Sequence, residues 1–346
     1  MLPYWLFLIL PVSVILTNRR LSERSQFWVW FAVWLFFSLA IGLRFEVGGD
    51  WFSYLRHLDM RATTSFSDVL VGSDPGYYLI NWIVAQSGGS IYWVNTGCGM
   101  ILMAGIVRFA RAQPLPWLTL LVAVPYLIIV VGMGYTRQSA ALGLLLIGLV
   151  SLANAQIRWF VFWVMLGSAL HKSAVLMLPV AALASTSNRF WSLLWVGVMS
   201  LVGGYLFVFD SADRLWTNYV EAEYQSQGGL IRVLMNSVPA FLFFLLRRQL
   251  RLTESEDKLW FWMSLLALAC IPLVALSSTA TDRVALYLIP IQLFVFARLP
   301  FVMSDPRRRG LVVLGVVGYY TLVQAVWLNF ASHSFAWLPY QNVVWL

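Results

Sequence analysis

Charge is scarce in this chain. Asp, Glu, Lys and Arg make up 11% of its 346 residues, histidine occurs three times and cysteine twice, while 60% of the chain is hydrophobic. A soluble domain of this length must cover its surface with polar groups, and this composition cannot do so. The sequence also lacks a Walker phosphate loop, an HExxH helix, a GxSxG elbow and an Asp-rich cation site. Metal catalysis has no support in it, and neither a metal nor a cofactor is expected. Cys98 and Cys270 lie inside apolar runs without metal-ligating neighbours at useful spacing, and read as packing residues. The net charge of +8 does not point to nucleic acid, because the basic residues cluster in short loops.

What is present is a succession of apolar runs near the length needed to span a bilayer, roughly 17–25 residues. They place candidate segments at Leu2–Leu16, Gln26–Leu43, Ile91–Val107, Trp117–Val131, Gln138–Ala153, Trp159–Leu170, Ser173–Ala184, Trp191–Phe209, Ile231–Leu246, Leu259–Leu276, Val284–Ala297 and Leu311–Leu328. Asp74–Ala85 reads as a re-entrant or interfacial helix. The expectation is an all-α polytopic membrane protein, one domain over 1–346, with about twelve transmembrane segments including short and re-entrant pieces. The loops at 18–25, 108–113, 154–158, 186–190, 247–258 and 298–310 hold 15 of the 23 Lys and Arg but 5 of the 15 Asp and Glu. The positive-inside rule puts these loops in the cytoplasm and both termini outside. Segments 44–74 and 210–229 become external loops.

In this topology the remaining polar groups gather on the outer side. "GMGYTRQS" puts Arg137 at a helix start, against the dipole preference of a cation. Either it snorkels to headgroups or it holds an anion. "LHKS" puts His171 and Lys172 between two apolar half-segments. The histidine is either a buried structural group or a general base, and the lysine either a phosphate partner or an anchor. "RFEVGGDWFSY" sets Arg44, Glu46 and Asp50 around two glycines, as a loop ion pair or as phosphate and hydroxyl contacts. "SDPGYY" makes Asp74 a helix cap before it makes it catalytic. "TDRVALY" makes Asp282 a dipole-matched cap, and Arg283 repeats the oddity of Arg137. Trp51, Tyr54, Tyr77 and Trp216 suit an interfacial belt, with stacking on sugar rings as the alternative.

The ordered set "GLR…VGGDWFSY", "DPGYYLINW", "GYTRQSAALG", "LHKSAVLMLP", "DRVALYLIP" and "WLPYQN" resembles the EpsG family of bacterial polysaccharide polymerases, similar in role to the Wzy O-antigen polymerases. Asp74 departs from the glutamate that many relatives show before the proline. The resemblance implies an inner-membrane glycosyltransferase with a GT-C-like helical architecture and its active site facing the periplasm. It would polymerise undecaprenyl-diphosphate-linked oligosaccharide units into exopolysaccharide or O-antigen. Its partners would be the lipid-linked donor and acceptor, membrane lipids, and a chain-length regulator and flippase of the same pathway. On this reading Arg44, Arg137, Arg283 and Lys172 bind the diphosphate, and arginine forks match phosphate geometry. His171 is the first choice of base and Asp50 the second. Asp74, Gln138 and Tyr54 are further substrate contacts. The competing readings are a flippase for the same lipid-linked sugars and a membrane acyltransferase that modifies glycans.

Overall fold

The computed structural model describes residues 1–17, 22–184, 189–207 and 228–346. Most of the outer segment 210–229, including Trp216, lies outside these residues. The described residues are helical throughout, and one antiparallel bridge joins Arg44 to Asn342. In chain order the helices are α1 (Leu2–Thr17), α2 (Glu23–Gly42), α3 (Trp51–Ala62), α4 (Phe66–Val71), α5 (Pro75–Gln86), α6 (Ile91–Arg111), α7 (Pro116–Gly134), α8 (Thr136–Ala153), α9 (Ile157–Leu170), α10 (Leu178–Leu183), α11 (Arg189–Phe207), α12 (Gly229–Leu246), α13 (Glu254–Leu276), α14 (Ser278–Leu288), α15 (Pro290–Arg298) and α16 (Pro306–Phe330).

Seven helices among the described residues are long and apolar enough to cross a membrane, or eight if the bent pair formed by α14 and Pro290–Val302 is one span. That is fewer than the twelve or so runs counted in the sequence. The difference is one of length. The pieces Leu2–Thr17, Ile157–Leu170, Lys172–Leu183 and Leu193–Tyr205 are apolar but only 10–17 residues long. An apolar run signals burial, and helix length decides whether it crosses. The twelve-residue α5 is too short to span. The protein is a multi-pass membrane protein. Its outer surface carries bare apolar side chains such as Phe241, Leu245 and Leu201, which only lipid can solvate.

The breaks have local causes. Pro125 has no N–H to offer Leu121, whose carbonyl is taken by Val124 instead, and α7 loosens into a π-helical stretch over Val124–Val131. Pro290 ends α14 in the same way. The freed Ala285 carbonyl accepts from Asn236 Nδ2 at 2.7 Å, and Asn236 Oδ1 accepts from Gln292 Nε2 at 2.7 Å. Tyr320 then donates to Gln292 Oε1 at 2.8 Å. This buried chain ties α12, α15 and α16 across the bend, so the polar groups there are satisfied. A capping box of Thr253 and Glu256 starts α13, and Asp305 caps α16 ahead of Pro306.

At the centre, α7 has 94% of its apolar window buried, against 22% for α16 at the edge. Helices α6 and α8 pack backbone to backbone: a Cβ on Gly105 would stand 2.0 Å from the Gly143 carbonyl oxygen. The C-terminal "WLPYQN" is a clamp. Trp337 Nε1 donates to Ile129 O at 3.1 Å, Tyr340 OH to Ala40 O at 2.9 Å, and Tyr4 OH to Trp337 O at 2.7 Å. It thereby fixes the ends of α1, α2 and α7 relative to one another, next to the loop 43–50.

Candidate functional site

The N-terminus of α8, the break after α9, the start of α3 and the middle of α14 meet around a cavity of about 180 Å³. Asp50, Tyr54, Arg137, Gln138, His171 and Arg283 line it, with Asp282, Tyr135, Thr279 and Leu286. Sequence segments as far apart as 50 and 283 thus converge. Arg283 is exposed, and Gln138 reaches across from α8 to donate to the Arg283 carbonyl at 3.2 Å.

Arg137 does not stand alone at its helix start. Its Nη1 donates to Asp74 Oδ2 at 2.8 Å, and its guanidinium lies 5.7 Å from the centre of the Tyr77 ring. The anion that offsets the unfavourable dipole is therefore built in. Asp74 departs from its expected role as a cap. It occupies the N-cap position of α5 but makes no side-chain cap bond, and its second oxygen accepts from Lys172 N at 3.0 Å. A carboxylate with 3% of its residue exposed does better between two donors at an interhelical junction than over its own helix. Lys172 differs from expectation as well. It enters the site through its backbone, and its side chain is not part of the cavity wall.

Arg44 is the largest departure. It is wholly buried, and its guanidinium donates to Val47 O at 3.0 Å, Ile41 O at 2.5 Å and Thr136 Oγ1 at 2.9 Å. No surface remains for a ligand. Arg44 ties the end of α2 and the loop after it to the start of α8. That loop, in turn, needs Gly48. Its φ is +104°, and a Cβ there would lie 2.3 Å from the Met133 carbonyl oxygen. Arg44 and Gly48 thus set the position of Asp50.

Asp50 begins α3 without capping it, and its carboxylate takes no hydrogen bond among the described residues. The residue is exposed at the cavity mouth, yet neighbouring protein strips water from its carboxyl. That loss lifts its pKa above the ordinary carboxylate value, while Arg137 and Arg283 pull the other way. Tyr54, one turn on, is buried, and its phenol is pushed up to about 12, so it stays neutral and can donate. His171 is 8% exposed. Its Nδ1 lies 2.7 Å from Ser173 Oγ, which lies 3.0 Å from Tyr287 OH.

Sequence reading made Asp282 a cap and passed over its partner, Arg232. Asp282 is inside α14, not at its start, and takes a fork from Arg232, Nε to Oδ1 and Nη2 to Oδ2, the second at 2.6 Å. Arg232 sits in the first turn of α12, among apolar residues just after Gly228 and Gly229. That is the signal that singled out Arg137, and it was available. Among the described residues no group of three metal-ligating side chains gathers.

A larger cavity of about 250 Å³ lies at the far end of α8, lined by Gln113, Asn154, Thr253, Glu256, Trp260 and Phe294 among others. Its one carboxylate, Glu256, already serves Arg298 at 2.6 Å and the cap of α13. No cation lines it, whereas Arg137 and Arg283 line the smaller cavity. The basic loops 108–113, 154–158, 247–258 and 298–310 meet at this far end, and the candidate site is at the other.

Residues 27–342 match the EpsG family. The chain belongs to the EpsG family. No curated protein and no solved structure matches it. Membership makes this a multi-pass membrane protein of the polysaccharide-polymerase type. The cavity at the start of α8 is assembled from segments that carry the resemblance to that family.

Proposed function

We propose that this EpsG-family protein is an inner-membrane glycosyltransferase that polymerises undecaprenyl-diphosphate-linked oligosaccharide units at the periplasmic face, without a metal. The observation that carries the reading is the pairing, within one small cavity, of an unpartnered carboxylate, Asp50, with the guanidinium groups of Arg137 and Arg283. A hydroxyl of the acceptor unit attacks the anomeric carbon of the donor sugar. Its proton passes to the Asp50 carboxylate, which its raised pKa suits for the task. The bond from that carbon to the diphosphate oxygen breaks, and the electron pair leaves with the diphosphate. Arg137 and Arg283 meet the charge that develops there. Tyr54 and Gln138 are placed to hydrogen-bond substrate. The base is thus assigned to Asp50 rather than His171, whose Nδ1 is already engaged.

A flippase would need cations along a path through the bilayer. The distribution favours the enzyme, because Arg137 and Arg283 line the cavity at one end of α8 and no cation lines the cavity at its other end. The test is polymerisation in reconstituted vesicles supplied with lipid-linked repeat units. Wild type is expected to yield a ladder, and Arg137→Ala and Asp50→Asn single units at normal protein levels. Movement of labelled units across the bilayer with no ladder from wild type would overturn the reading in favour of a flippase.

A further inference from the structure

His171 ends α9 in extended backbone, with φ −153° and ψ 113°, and the 3₁₀ stretch Lys172–Met177 begins directly after it. Its Nδ1 lies 3.3 Å from Ser173 N and accepts that amide's hydrogen. A backbone N–H can only donate, so Nδ1 must keep a lone pair. A neutral ring in this position therefore carries its proton on Nε2. An imidazolium would set two N–H groups head to head. The one amide then orders the rest of the chain. Ser173 Oγ, 2.7 Å from Nδ1, donates to it, and in turn accepts from the buried Tyr287 hydroxyl at 3.0 Å. On the other side of the ring, Nε2 has no hydrogen-bond partner among the described residues, and the ring lines the cavity.

We propose that Ser173 and Tyr287 are positioning residues that hold His171 in its Nε2–H form, so that His171 is a hydrogen-bond donor to the departing diphosphate and not the base. The inference rests on the polymerase reading above. With its proton on Nε2 the ring has no free lone pair toward the cavity and cannot take a proton from the acceptor. It can donate to a phosphate oxygen, where negative charge grows as the glycosidic bond breaks. No bond to hydrogen breaks in this role. The proton remains on Nε2, and the acceptor's proton goes to Asp50. A diphosphate leaves readily as an anion, so a donor that keeps its proton is sufficient.

The chain has three histidines, which makes the tautomer directly readable. The experiment is nitrogen NMR on ¹⁵N-histidine-labelled protein in bilayers at neutral pH without substrate, with His171 assigned by the signal lost in His171→Asn. A protonated Nε2 and an unprotonated Nδ1 are expected. A protonated Nδ1, or a doubly protonated ring, overturns the proposal. Ser173→Ala keeps the amide but removes the shorter donor contact, so a measurable Nδ1–H fraction is expected, and Ser173→Thr should restore the wild-type spectrum. In the vesicle assay Ser173→Ala should lower kcat about tenfold, the loss of one hydrogen bond of about 1.4 kcal/mol, with KM little changed. Melting temperatures establish that each variant is folded. A shifted spectrum with unchanged kcat overturns the donor role. Because the tautomer is read without substrate, its failure leaves the polymerase reading standing. A missing wild-type ladder sinks that reading without touching the tautomer.

Discussion

Truncating Arg44 should remove the protein rather than the chemistry. The side chain is fully buried and donates to two carbonyls and the Thr136 hydroxyl, at 2.5, 3.0 and 2.9 Å, and to Asn95 Oδ1 at 3.5 Å. Arg44→Ala takes their donor from the two carbonyls and the hydroxyl, leaves Asn95 Oδ1 only its bond from Thr136, and opens a void between α2, α6 and α8. An orphaned buried acceptor costs about 1–3 kcal/mol. Relief from burying the guanidinium offsets part of this, so a net loss of about 3–5 kcal/mol is expected, comparable to breaking a buried charged pair. That is a large share of a stability of about 5–15 kcal/mol. Arg44→Lys should fail similarly, because a point ammonium cannot reproduce the fork that serves four oxygens. The assay is fluorescence-detected size exclusion of tagged variants after graded heating, run beside the ladder assay. Low yield and a depressed midpoint are expected for both. A folded Arg44→Ala with a wild-type midpoint and no polymer would refute the reasoning, and would mean that Arg44 touches substrate after all.

Arg283→Ala should do the reverse, with normal yield and midpoint and a fall in kcat of roughly 10²–10³-fold, typical of losing one donor to developing charge; the vesicle ladder measures it. The acidic limb of the pH–rate profile should follow Asp50. Its pKa is raised, so the basic form is lost, and the rate falls, already above the ordinary carboxylate range as pH drops. The same shift means that the charged form is disfavoured in the folded protein, so Asp50→Asn should melt at or above the wild-type temperature at neutral pH while making no ladder. Gly48→Ala must adopt a positive φ and meet the Met133 carbonyl, and should cost at least about 1–3 kcal/mol in a thermal melt. Gly49→Ala, with nothing within 4 Å of a new Cβ, should melt like wild type.

Class and site location were legible in the sequence for different reasons. Hydropathy marks apolar runs whatever covers them, so the all-helical multi-pass architecture could be read directly. The number of spans could not, because runs such as Trp159–Leu170 and Ser173–Ala184 look like crossings until the break at His171 shows two short helices. Arginines read as lying beside helix ends marked the cavity, and Arg137 and Arg283 do line it, although Arg283 stands in the middle of α14 and not at its start. Yet a sequence records that an arginine is present, not what its fork touches. Arg44 and Arg137 carry the same signal, and one binds backbone while the other reaches a carboxylate. Asp74 and Asp282 were open to misreading as caps, since a carboxylate near a helix start has a local explanation. Their actual partners, Arg137 and Arg232, are 63 and 50 residues away, and no local pattern reveals pairings at that range.

Those two pairings also bear on how such a site can exist before any ligand arrives. A bare guanidinium at the edge of a bilayer is costly, and Arg137 and Arg232 avoid the cost by holding Asp74 and Asp282. A diphosphate that recruits Arg137 must therefore compete with Asp74. The competition is eased because Asp74 has a second partner. When Arg137 turns away, Asp74 Oδ1 keeps the Lys172 N–H, so the carboxylate is left with one donor rather than none. A single carboxylate or a lone phosphate monoanion offers Arg137 no more charge than Asp74 does already. Two adjoining phosphates, shared between Arg137 and the exposed Arg283, do offer more. On the polymerase reading proposed above, the built-in pairing would act as a threshold that favours ligands with two adjacent negative groups over singly charged headgroups of the surrounding lipid.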